Sequence, residues 1–198
     1  MVESIVGIMK KVAVNEVQRI QTTEIGVVTA QFPHGDDGDK DNYQCSVKLK
    51  NKKLPDGSDF ELRQVPVATP FLGWAAIPDV GSLVLVSFIG GDINAPVITG
   101  CLYNDEDRAV VNKKKEILLQ HTIKDGPSIK LDDQGKIILT SKNKKNVLTV
   151  DDDKISVVAD QFSLEIDTSS GKLKIDAKEV EIGASGAMKL KGATIDLN

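Results

Sequence analysis

His34 and His121 are the only two imidazoles in the 198 residues. A zinc or iron site needs several such ligands brought close together. These two lie far apart, in segments of different character, so each reads as a surface side chain and no metal site is predicted. Asp37, Asp39 and Asp41 alternate as the ligands of a calcium loop do. Asn42 stands where the EF-hand glycine belongs, however, and Lys48 where its bidentate glutamate belongs, so a solvated acidic loop is predicted instead. No sequence feature marks a base for Cys45. Cys45 and Cys101 both sit in apolar, strand-like runs and read as two buried, reduced thiols rather than a disulfide framework. Asp151-Asp152-Asp153 is a charge run at a turn, and Lys113–Lys115 reads as linker. No glycine-rich phosphate cradle precedes a helix. With 29 acidic residues, carboxylate pairs arise by coincidence and carry no signal. No catalytic residue, no metal and no cofactor are therefore expected, and the chain does not read as an enzyme.

Composition narrows the classes further. Hydrophobic content of 40% with 27% charged residues fits a folded chain rather than a disordered one. Residues 1–103 carry 9 Lys and Arg against 12 Asp and Glu, and residues 104–198 carry 16 against 17. Neither half is the basic block that neutralises nucleic-acid phosphates, so no nucleic-acid partner is predicted. No apolar run approaches the roughly 20 residues of a membrane-spanning helix. The N-terminus does not read as a basic, apolar and cleavable leader, so assembly in the cytoplasm is expected.

The aromatic residues divide the chain. Phe32, Tyr43, Phe60, Phe71, Trp74, Phe88 and Tyr103 lie in the first 103 residues, and only Phe162 follows. The first part can fill an ordinary core, whereas the last lacks the large side chains that usually do so. Four segments are expected: an N-terminal helix or arm over 1–21, a β domain over 22–104, a linker over 105–127 and a second β domain over 128–198. Ile5, Ile8, Met9, Val12 and Val17 give an imperfect helical stripe suited to packing on the first domain or on a partner. Candidate strands of the first domain are Glu24–Phe32, Tyr43–Leu49, Phe60–Val67, Leu83–Phe88 and Pro96–Leu102. The polar stretches His34–Asn42 and Asn51–Ser58 read as loops, and Gly90-Gly91-Asp92 as a turn needing positive φ. Five strands in about 80 residues suit a small closed barrel of OB type.

Residues 128–198 keep a period of two. Successive inward pairs are predicted as Ile129/Leu131, Ile137/Leu139, Leu148/Val150, Ile155/Val157, Phe162/Leu164/Ile166, Leu173/Ile175, Val180/Ile182, Met188/Leu190 and Ile195/Leu197, with polar residues between them. Each strand offers only two or three aliphatic side chains. Burial stabilises by roughly 25 cal/mol per Å² of apolar surface, whereas ordering each residue costs on the order of 1–2 kcal/mol. A stripe this thin cannot stabilise a solitary sheet. Three chains sharing one axis, each contributing one face of an intertwined β-prism, would bury every stripe. The predicted trimer core is Ile129, Leu131, Ile137, Leu139, Leu148, Val150, Ile155, Val157, Leu164, Ile166, Leu173, Ile175, Val180, Ile182 and Leu190. Nine strands about 4.8 Å apart would make a shaft roughly 40 Å long.

The run Val65-Pro66-Val67, Gly73, Ile77-Pro78-Asp79-Val80-Gly81-Ser82-Leu83-Val84-Leu85-Val86-Ser87-Phe88, Gly91-Asp92, Ala95-Pro96-Val97-Ile98-Thr99-Gly100 and Leu102-Tyr103-Asn104 closely resembles the OB-fold domain of phage baseplate assembly protein V. Spikes of the VgrG kind in type VI secretion, and those of extracellular contractile injection systems, share that domain. The resemblance covers residues 24–104. It implies an all-β protein with a trimeric β-helical needle, placed beneath the tube of a virion or tail-like particle. Baseplate hub and tube proteins would be its partners, and the target cell envelope would be met on firing. Some relatives end in a His-x-His iron site, which Gly192-Ala193-Thr194-Ile195-Asp196-Leu197-Asn198 lacks. The resemblance then implies a separate PAAR-repeat tip protein touching Ile195, Asp196, Leu197 and Asn198. The competing expectation for an OB fold is an oligonucleotide- or carbohydrate-binding module.

Overall fold

The computed structural model describes residues 5–19 and 22–196. The chain divides into two compact units, Met1–Arg108 and Ala109–Asn198. Among the described residues no helix is long and apolar enough to cross a membrane.

The first unit contains a helix, α1 (Ile5–Arg19), and five strands, β1 (Glu24–Phe32), β2 (Gln44–Lys53), β3 (Asp59–Pro66), β4 (Leu83–Phe88) and β5 (Pro96–Leu102). Ile5, Ile8, Met9 and Val12 of the expected helical stripe are all exposed. The expected start and end of the helix, residues 2–4 and 20, lie outside the described residues. The strands pair in the order β3-β2-β1-β4-β5, all antiparallel. A parallel bridge from Val67 to Ile98 joins the outer two, and Ala68 N–H donates to Ile98 O at 2.8 Å. The sheet therefore closes on itself, as the expected OB barrel requires.

Closure follows from the residue types. Val28, Cys45, Val47, Leu49, Leu62, Val65, Val84, Val86, Phe88 and Ile98 alternate along their strands and meet in one core. Gly26 lets β1 and β2 approach closely: a Cβ there would stand 2.2 Å from Val47 Cγ1 and 3.1 Å from the carbonyl of Lys48. A bulge between Val28 and Ala30 bends β1. Gly90 and Gly91 take φ of 63° and 76° at the predicted turn, where Ala95 N–H donates to Asp92 O at 3.0 Å.

Four boundaries differ from the sequence reading: β3 is Asp59–Pro66 where Phe60–Val67 was expected, and both ends of β2 move. Tyr43 has φ of 57°, so β2 begins at Gln44. Its carbonyl accepts from Val67 N–H at 3.1 Å, and its hydroxyl accepts from Ala76 N–H at 2.9 Å. Those contacts hold an unfavourable backbone that no local propensity signals. At the other end β2 runs on through Asn51–Lys53, which had read as loop, because the hairpin with β3 pairs Lys53 with Asp59. One burial assignment is also corrected. Cys45 is buried and free, as expected, but Cys101 is free and exposed, since it lies on the outer face of β5.

The second unit is one antiparallel sheet of seven strands in chain order: β6 (Ile117–Gln120), β7 (Ser128–Leu131), β8 (Ile137–Thr140), β9 (Val147–Val150), β10 (Lys154–Ala159), β11 (Phe162–Asp167) and β12 (Lys172–Ala177). β6 falls inside the stretch read as linker. The nine expected inward pairs reduce to six, because residues 178–196 form no strand. Val180, Ile182, Met188, Leu190 and Ile195 are exposed there. At about 4.8 Å per strand, seven strands span about 29 Å, shorter than the expected shaft. Nothing in a single chain supplies the intertwining that the thin stripe had suggested: consecutive strands pair with each other.

Tight turns close the meander. The Asp132 carboxylate accepts from the backbone N–H of Gln134 and Lys136 at 2.9 Å each. The Asp167 carboxylate accepts from Ser169 and Ser170 N–H at 3.0 Å each, and from the Ser169 hydroxyl at 2.7 Å. These hydrogen bonds hold the Asp167 carboxyl well below the usual carboxylate range.

Candidate functional site

The residues with reactive side chains do not converge. Within the acidic loop, His34 Nδ1 lies 2.9 Å from Asp39 Oδ1, and Asp36 N–H donates to Asp39 Oδ2 at 3.1 Å. The carboxylates thus staple their own loop. Among the described residues no three His, Cys, Asp or Glu side chains are grouped to hold a metal ion. His121 lines a shallow, open hollow with Thr122, Lys124, Asp125, Pro127 and Lys142. Burial pushes the Cys45 thiol up to about 11, which disfavours the thiolate a nucleophile needs.

The His34–Asp39 contact gives a testable pH dependence. The hydrogen bond to Asp39 and its charge raise the His34 pKa above 6.5, while backbone hydrogen bonds and His34 lower Asp39 to about 2. For the raised histidine, the loop contact is complete below pH 6.5 and is lost as pH rises through the folded pKa. For the depressed carboxyl, it is complete above 3.8 and is lost as pH falls toward 2. An NMR titration should place the His34 midpoint above 6.5, and Asp39→Asn should return it toward that value. Identical midpoints in the two proteins would refute the contact.

What the sequence does bring together is apolar. On one face of the seven-stranded sheet, cross-strand register forms two uninterrupted rows. The first runs Ile117, Leu131, Ile137, Val150, Ile155, Ile166, Leu173, and the second Leu119, Ile129, Leu139, Leu148, Val157, Leu164, Ile175. Directly opposed residues of an antiparallel pair point to the same side, so both rows share one face. Ala159, Phe162 and Ala177 extend that face on the three longer strands. No charged or polar residue interrupts either row.

The opposite face is mixed. One of its rows reads Leu118, Lys130, Ile138, Thr149, Ser156, Glu165, Lys174. Ion pairs cross between neighbouring strands on that side: Lys136 to Asp151 at 3.0 Å, and Lys154 to Glu165 at 3.2 Å. Exposed pairs of this kind contribute little to stability individually. They do mark which face meets water.

Among the described residues of the second unit, nothing buries the apolar face. Every buried hydrophobic of the described residues belongs to the barrel, and in residues 109–196 no hydrophobic residue is buried. Nine of the fourteen row residues are between 37% and 66% exposed, and the other five are only half-buried. Contiguous exposed aliphatic surfaces are unusual on a monomer.

Twelve of the residues expected at the trimer core, Ile129 through Ile175, therefore lie on one face. Val180, Ile182 and Leu190 lie outside the sheet and are exposed, as are Ile195 and Asp196; Leu197 and Asn198 lie outside the described residues. Ile117 and Leu119 were missed. Leu118 between them hides the alternation, and the preceding Lys113–Lys115 drew the segment toward linker. Only the register with β7 reveals them.

Comparisons place the barrel. Residues 26–103 match the family of the type VI secretion system and phage-baseplate injector OB domain. A stretch of 36 residues is 56% identical to the type VI secretion system spike protein VgrG5 of Pseudomonas aeruginosa. That stretch is 18% of this chain and 5% of the relative, so the chain matches a small fraction of its length.

Proposed function

We propose, from the VgrG-like spike family whose injector OB domain this chain carries over residues 26–103, that the protein is a structural spike at the centre of a contractile injection baseplate. In this reading three copies assemble through the apolar faces of their seven-stranded sheets into a shaft. The shaft caps the tube and passes through the target envelope when the sheath contracts. The observation that carries this reading is the pair of unbroken aliphatic rows that no described residue of the second unit buries.

A strand stripe two residues wide suits a threefold core. Each layer would hold six aliphatic side chains, two from every copy, and the charged faces would point outward. Burying each half-exposed side chain stabilises by about 1 kcal/mol, repeated over seven layers per copy. A rod of that kind needs no reacting group, in keeping with reactive side chains that do not converge. Ile195, Asp196, Leu197 and Asn198 would meet a PAAR-repeat tip protein at the end of the shaft, and baseplate hub and tube proteins would contact the rest of the assembly.

Light scattering on the purified chain tests the reading. A mass of three times 21.4 kDa is expected at micromolar concentration, with residues 109–177 resistant to protease. A single-chain mass with that segment equally resistant would defeat the proposal.

A further inference from the structure

We infer that the edge of the seven-stranded sheet formed by turns 121–127 and 141–146 binds a phosphate group, held by Lys124, Lys142 and the side-chain amides of Asn143 and Asn146. The inference concerns a single chain and stands apart from the threefold reading above.

Strand pairing brings the two turns together. Gln120 opposes Ser128, Ser128 opposes Thr140, and Thr140 opposes Val147, so the ends of four consecutive strands stand in one row. The β6–β7 and β8–β9 turns therefore leave the sheet from the same edge, two strand spacings or about 10 Å apart. Two hollows of about 450 and 520 Å³ lie at these turns and share Lys142 and Asp125. Lys124 and His121 also line the first, Asn143 and Asn146 the second.

The lining is rich in uncommitted donors. Asn143 Oδ1 accepts from the Ser141 hydroxyl at 2.7 Å and from Lys145 N–H at 3.1 Å, which leaves the amide nitrogen as the free end. The Asn146 side chain and the ammonium groups of Lys124 and Lys142 have no hydrogen-bond or ion-pair partner among the described residues. Phosphate oxygens accept from both kinds of donor, and the bonds from ammonium are the stronger because they are charge-assisted. Asp125 is the one carboxylate in the lining, and it opposes an anion.

The charge of the turns selects the sign of the ligand. Turns 121–127 and 141–146 carry Lys124, Lys142, Lys144 and Lys145 against Asp125 alone, and Lys145 is paired with Asp160 at 3.4 Å. The two turns that leave from the opposite edge, 132–136 and 151–153, carry Asp132, Asp133, Asp151, Asp152 and Asp153 against Lys136 alone. An anion is thus drawn to one pair of turns and repelled by the other.

Isotope labelling of histidine alone gives two imidazole signals, His121 at the hollow and His34 in the barrel. On titration with inorganic phosphate, the His121 signal is expected to move and saturate while His34 stays in place. Each exposed charge contact is worth a factor of about 1.5–5, so Lys124→Gln with Lys142→Gln should raise the apparent Kd at least about twofold. Asp125→Asn should lower it. Lys113→Gln with Lys114→Gln removes the same charge just before β6, on the opposite edge, and should leave it unchanged. Vesicles of phosphatidylglycerol, set against phosphatidylcholine, identify the source. Cosedimentation that phosphate competes away assigns a lipid headgroup, and saturation by phosphate without cosedimentation assigns the free ion. A stationary His121, parallel movement of both histidines, or an equal loss in the Lys113 and Lys114 variant would overturn the inference.

Discussion

Leu148→Asp is expected to reduce the proposed assembly to single chains of 21.4 kDa. Leu148 lies on β9, inside the second aliphatic row, opposed by Leu139 on one side and Val157 on the other. A carboxylate there has no cation on its own face. In the threefold assembly, three such groups would share one layer, and each unpaired buried charge costs several kcal/mol even after relaxation. Mutual repulsion adds to that cost. The control is Thr149→Asp, one residue along and on the polar face, which should leave the mass unchanged. Sedimentation of both variants reads the outcome. If Leu148→Asp kept the wild-type mass, the apolar face would not be the contact surface. If Thr149→Asp also dissociated the protein, the effect would be general and not a property of one face.

Ile98→Ala is expected to cost the barrel about 2–5 kcal/mol, the range for truncating a well-packed aliphatic side chain. Ile98 is fully buried. It pairs with Val86, bridges to Val67 and has its carbonyl bonded by Ala68 N–H, so it stands where β3 and β5 close the sheet. Trp74 is the only tryptophan and belongs to the first unit. Its fluorescence therefore reports barrel unfolding separately from the sheet. A domain of this size loses about 4–8 °C in melting temperature per kcal/mol, so a drop of about 8 °C or more is expected in the tryptophan signal. The oligomeric mass should persist at room temperature. A drop below 2 °C would mean that the closing bridge is not part of a tightly packed core.

The two substitutions probe two kinds of hydrophobic surface made by the same residue types. In the barrel, alternation buries one side of every strand because the sheet curls onto itself, so Val, Leu and Ile meet their own chain. In the second unit the strands are mostly four residues long and the sheet stays open. Its alternating face then has no counterpart among the described residues of that unit. Period-two patterning is equally good in both units, and the difference lies in closure.

The amino-acid sequence was enough to place the barrel strands to within a few residues, because turn-forming clusters and β-branched runs act locally. It was also enough to assign Ile129 through Ile175 to a single side, because side chains in a strand alternate whatever the strand pairs with. Pairing partners were beyond its reach, since register depends on hydrogen bonds between segments remote in sequence. Three-dimensional pairing is what drew Ile117 and Leu119 into the rows and carried β2 on to Lys53. It also left Val180, Ile182 and Leu190 without a strand to join, although their alternation matches that of Leu173 and Ile175. Tyr43 makes the same point in the barrel: contacts from Val67 and Ala76, more than 20 residues away, hold a backbone angle that its own neighbours would not select. Cys101 was misjudged for a related reason, because an apolar strand shows which residues alternate but not which of its two sides faces the core.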